Sequence, residues 1–79
     1  MAEPAAKLTT ARSEQTRAAI LEAAERAFAE SGYEGARLQD IAEAVGIRRA
    51  SIVYYFRDKR ELYDAVLGLL LGAWLERLS

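Results

Sequence analysis

The 79-residue sequence is 52% hydrophobic and 29% charged, with a net charge of −1. A chain of that size makes one small domain, burying only ~60% of the surface its unfolded state exposes. It contains no cysteine and no histidine, which excludes disulfides, thiolate or imidazole zinc sites and most nucleophile–base pairs; no Gly-rich phosphate loop is present either, so neither an enzyme nor a cofactor site is expected.

The opening residues, MAEPAAKLTTAR, have no apolar block of signal-peptide length and read as a disordered arm over residues 1–12. A helix is expected from Ser13 to Ser31. Ile20, Leu21, Ala24, Ala27 and Phe28 recur at the three- and four-residue spacing of one helical face, while Glu22, Glu25, Arg26 and Glu30 occupy the other. Glu22 and Arg26 stand four apart in the favourable order. Gly32 follows the last turn, where a left-handed residue ends a helix.

Next come Leu38, Ile41, Ala42 and Val45, a second helix of about two turns, and then Gly46 and Ile47. A further apolar set, Ile52, Tyr55 and Phe56, lies just beyond. SIVYYF has the composition of a strand. It reads instead as the second member of a helix pair, because six residues cannot form a sheet alone and the sequence offers no partner strand. Two short helices joined through a glycine turn make a helix-turn-helix. Ala42 permits close approach in the crook, Gly46 takes the turn, and Ile41, Val45, Ile47 and Ile52 form the wedge of core between the helices.

Asp58 and Glu61 have capping-box spacing at the start of a last helix over residues 59–79. Leu62, Val66, Leu70 and Ala73 line one face of it, and Leu67, Leu71, Trp74, Leu75 and Leu78 another. The first face serves packing within the domain. The second has nothing here to cover it, so the chain is expected either to be the N-terminal piece of something larger or to associate with another copy. The most apolar stretch, Ala65 to Leu75, is shorter than the ~20 residues that span a bilayer. A soluble, cytoplasmic protein with no membrane partner is expected.

Charge is unevenly distributed. Between Gly46 and Arg60 there are five basic residues (Arg48, Arg49, Arg57, Lys59, Arg60) and one acid, whereas six acids and two arginines lie between Glu22 and Val45. One basic end suits a polyanion. With Ile52 turned to the core, Ala50 and Tyr54 point outward, Ser51 and Val53 flank them, and Tyr55 leans inward. That face is small enough to seat in a major groove. Arg48 and Arg49 can reach guanine or phosphate, Ser51 a base or phosphate, Val53 a thymine methyl, and Tyr54 a phosphate through its hydroxyl. Lys59 would add charge at a helix N-terminus that already favours anions.

The run ILEAAERAFAESGYEGARLQDIAEAVGIRRASIVYYFRDKREL resembles the DNA-binding domain of the tetracycline-repressor (TetR) family of bacterial transcription regulators. The likeness covers about residues 13–66. It rests on the Gly32–Tyr33 pair, on DIAEAVGI, on a tyrosine-bearing helix closing at Phe56, and on Lys59. It implies an all-α, homeodomain-like three-helix helix-turn-helix over residues 13–58, with a recognition helix at about 48–55. The last helix would link it to an absent C-terminal ligand-binding and dimerisation domain. By position, the family's base and phosphate contacts fall on Arg37, Arg49, Ser51, Tyr54, Tyr55 and Lys59. Palindromic duplex DNA, a homodimer, repression, a nucleoid-associated location and a small-molecule inducer held outside this chain follow from the same resemblance. Arg37, Arg48 and Val53 depart from the family's usual Ser or Thr, Ser and Tyr, which puts the operator sequence in question. The rival reading is a helical protein-interaction or dimerisation module that works through the Leu67, Leu71, Trp74 and Leu78 stripe.

Overall fold

The computed structural model describes residues 3–78, with side chains from residue 11 onward. Among the described residues every regular element is helical: α1 (Glu3–Gly35), α2 (Leu38–Val45), α3 (Arg49–Tyr55) and α4 (Lys59–Leu78). α1 packs on both α2 and α4, and α2 packs on α3. No helix among them is long and apolar enough to cross a membrane.

Helical geometry begins at Glu3, so residues 3–12, expected as a disordered arm, instead extend the first helix; residues 1 and 2 lie outside the described residues. This segment has good helix formers and no glycine, and Pro4 stands in the first turn, where its missing N–H breaks no bond. It carries no apolar stripe, so periodicity gave no sign of it. From Ile20 onward α1 presents the expected face: Ile20 and Ala24 are fully buried, and Leu21 and Phe28 nearly so. Gly32 interrupts the regular helix with φ 72° and ψ 173°, a combination open almost only to glycine. One further turn follows, closed by the Ala36 N–H donating to the Gly32 carbonyl at 3.1 Å.

The α2–α3 pair forms as the spacing implies. Ala42 is wholly buried in the crook, and Gly46 is left-handed at φ 85°, ψ 29°. The Ile47 N–H donates to the Ala42 carbonyl at 3.0 Å and the Gly46 N–H to that of Glu43 at 3.2 Å, the paired closure of a Schellman turn. SIVYYF lies within the helix and its end rather than in a strand. Ile52 (0% exposed) and Phe56 (2%) fasten α3 to the core, and the Phe56 N–H closes it on the Ile52 carbonyl at 2.8 Å.

Asp58 caps α4, its Oδ1 accepting from the Glu61 N–H at 2.9 Å. The reciprocal half of the box is displaced by one residue: Glu61 Oε2 accepts from the N–H of Arg57, at 3.2 Å, rather than from that of Asp58. Leu62 and Val66 are buried, but Leu70 is 46% exposed and Ala73 is exposed too. The face expected to pack over its whole length thus does so only in the first two turns. Leu67, Leu71, Trp74, Leu75 and Leu78 are all exposed, as the uncovered stripe requires.

Candidate nucleic-acid interface

The basic residues cluster where three helices begin. Arg37 precedes α2, Arg48 precedes α3, and Lys59 opens α4. Neither Arg37 nor Arg48 makes a side-chain cap bond, so each guanidinium is left to the surface where a small hydroxyl would have been tied to the backbone. A cleft of about 490 Å³ lies between these helix starts, and Arg37, Arg49, Val53, Arg57 and Lys59 all line it, with Glu34 and Asp58 as its acids. Arg37, from the start of α2, and Arg49 and Val53, from α3, therefore border one surface.

On α3 the outward face follows the wheel. Arg48, Arg49 and Ala50 are exposed, Ser51 is half-buried, Val53 is 45% exposed and Tyr54 81%. Tyr55 is half-buried and packs against the core, so less of it is presented than of Tyr54. Its ring meets that of Tyr54 edge-on, with centroids 5.0 Å apart and planes at 82°. That contact holds an otherwise exposed aromatic in place. A rigid two-turn helix with a small, partly polar outer face and arginines at its start has the dimensions a major groove admits.

Lys59 also has partners within the fold. Its Nζ donates to the carbonyl oxygens of Tyr33, at 2.6 Å, and Ala36, at 3.2 Å. It also lies 4.5 Å from the centre of the Tyr33 ring. Two of its three N–H groups are thus committed within the fold. Arg57 and Arg60 keep acidic neighbours: Arg57 lies 3.8 Å from Asp58 and 3.9 Å from Glu61, and Arg60 lies 3.2 Å from Asp64. These exposed pairs contribute little to stability. Arg17, which sequence reading passed over, stacks over the Phe56 ring at 5.0 Å. Only the fold brings an α1 cation to the end of α3; nothing in the local pattern announces it.

A buried glycine-turned helix pair, with the second helix offering its polar side at a basic edge, defines a helix-turn-helix domain of the DNA-binding class. Residues 20–66 match the family described as "Bacterial regulatory proteins, tetR family", and the chain belongs to that family. It is 42% identical, over its whole length, to the HTH-type transcriptional regulator RutR of Escherichia coli, of which it spans 39%. Over 78% of its length it is 45% identical to the HTH-type transcriptional regulator TtgR of Pseudomonas putida, spanning 30% of that protein. Over 65% it is 47% identical to the HTH-type transcriptional repressor AcnR of Corynebacterium efficiens, spanning 27%. The chain thus covers less than half the length of each of these relatives.

Proposed function

We propose that this chain is the operator-reading head of a transcriptional repressor, with α3 seated in the major groove of duplex DNA. The observation that carries this reading is the division of labour along α3: Ile52 is fully buried while Tyr54 is 81% exposed. The helix is thereby pinned from one side and presented from the other. Arg49, Ser51 and Val53 address base edges; Arg37, Arg48, Tyr54 and the exposed edge of Tyr55 address the phosphate backbone. A single head buries only ~600–1,000 Å² on DNA. Two heads, spaced by one turn of the duplex (~34–36 Å), bind a palindrome cooperatively. The uncovered stripe on α4 supports continuation into a helical dimerisation domain, which would also house an inducer site, in a cytoplasmic regulator.

Titration of a mixed-sequence duplex across a salt series tests the reading. Affinity falls steeply with salt, with a slope of about −0.9 for each phosphate neutralised, and Arg49→Ala or Tyr54→Ala weakens binding at every salt concentration. A slope near zero, or undiminished binding by both variants, would reject the interface. The rival reading, an interaction module built on the α4 stripe, draws support from Trp74 at 58% exposed and Leu78 at 67%. Sedimentation separates the two: a stable oligomer with no affinity for DNA at low salt favours the module.

A further inference from the structure

We infer that Arg17 of α1 is a DNA-backbone contact: lying over the Phe56 ring, it presents its guanidinium to a phosphate beside the end of α3. This rests on the proposed DNA-binding function. α3 has seven residues, so it is about 10 Å long at ~1.5 Å per residue, and a major groove is ~12 Å wide. A helix that short, seated in the groove, has a sugar-phosphate rail beside each end. Its start is well supplied with cations, since Arg48 precedes it and Arg49 opens it. Its end is not. Arg57, the next basic residue along the chain, lies 3.8 Å from Asp58 and 3.9 Å from Glu61, and those carboxylates offset its charge. A phosphate at that end draws its cation from another part of the fold.

Arg17 is placed to supply it. It stands one turn before Ile20 on α1, at the margin of the buried face that Ile20, Leu21 and Ala24 continue. Its guanidinium carbon lies 5.0 Å from the centre of the Phe56 ring, and Phe56, 2% exposed, is the residue that closes α3. Lying over a ring occupies a face of the guanidinium and leaves the N–H donors along its edge available, a planar fork that matches phosphate in bidentate fashion. Arg17 is exposed. Among the described residues it forms no ion pair, whereas Arg26, Arg57 and Arg60 each do. Because the ring beneath it is locked in the core, the cation is held ready at a lower cost in side-chain entropy than a free surface arginine would incur. Tyr54, 81% exposed, stands at the same end of α3 with its hydroxyl. α1, otherwise a core helix, thus joins the interface and fixes the far end of α3 along the groove.

The test compares the wild-type chain with two variants on a duplex selected in vitro from a randomised pool. Arg17→Met keeps an apolar side chain over the Phe56 ring, and Arg17→Lys keeps the charge. Removing one phosphate contact makes the slope of log affinity against log salt shallower by about 0.9 per head. The deficit of Arg17→Met against the wild type therefore shrinks about threefold between roughly 50 and 200 mM salt, while Arg17→Lys keeps the wild-type slope. Without DNA both variants melt close to the wild type, as changes at an exposed side chain should. A neutral methylphosphonate placed in turn at each phosphate of the duplex locates the contact: at one position it weakens the wild type and leaves Arg17→Met unaffected. The absence of such a position would overturn the inference. So would a wild-type slope in Arg17→Met, with affinity undiminished or with affinity and melting temperature both lowered; the latter pattern would make Arg17 a clamp on Phe56. A wild-type chain with no affinity for DNA, or with affinity independent of salt, would remove the proposed function and this inference with it, so the two failures read differently.

Discussion

Replacing Gly46 isolates the cost of the turn that angles α3 away from α2. Its φ of 85° and ψ of 29° place it in the left-handed region, and a Cβ built there meets no heavy atom within 4 Å. Gly46→Ala therefore creates no clash, and its whole native-state cost is conformational, about 1–2 kcal/mol for an L-residue. Alanine also stiffens the unfolded chain, which returns about 0.4–1 kcal/mol. The net loss is about 1 kcal/mol, or roughly 4–8 °C in Tm for a domain of 60–100 residues. Asparagine tolerates left-handed geometry and should lose less than alanine; valine, branched at Cβ, should lose more. Gly68→Ala provides the opposite sign: it lies inside α4, its Cβ also meets nothing within 4 Å, and a helix interior gains roughly 0.5–1 kcal/mol from alanine. Urea and thermal melts followed by circular dichroism read all four variants. Gly46→Ala as stable as the wild type, or asparagine worse than alanine, would refute the claim that backbone geometry alone dictates glycine here.

Ile52→Ala removes a side chain with no solvent exposure, so it should cost about 2–5 kcal/mol, a large share of a small domain's margin. The melting temperature should drop accordingly and DNA affinity with it, whereas Tyr54→Ala two positions on should leave stability within about 0.5 kcal/mol. Asp58→Ala deletes the cap bond to the Glu61 N–H, 2.9 Å long. It should cost about 1 kcal/mol in urea melts, and an Asp58→Asn variant, which keeps an acceptor oxygen, should recover most of it.

The helix pair could be read from sequence because its determinants are local. The offsets of Ile41, Ala42, Gly46 and Ile52 state a periodicity and a turn within a dozen residues, and each plays the part its spacing implies. Tyr54 was legible for the same reason: fixing Ile52 inward fixes what points outward. What escaped reading depended on distant partners. The Lys59 ammonium is taken up by carbonyls in the last turn of α1 and just after it, and backbone acceptors leave no trace in residue identity. Arg17 reaches Phe56 only through the fold. The early start of α1 was hidden because helix propensity without an apolar stripe gives no periodicity. Leu70 and Ala73 repeat correctly along α4, yet repetition says nothing about where the neighbouring helix stops.

Few side chains moor α3: Ile52 and Phe56 are the ones buried to 2% or less. Its outer positions can therefore be exchanged almost independently of the scaffold's integrity. Relatives could then diverge in the sequences they recognise while keeping the same foundation, much as a lock is rekeyed without rebuilding the door. On the proposed function, the arginine, alanine, valine and tyrosine at positions 49, 50, 53 and 54 would be one such setting, open to redesign toward another target.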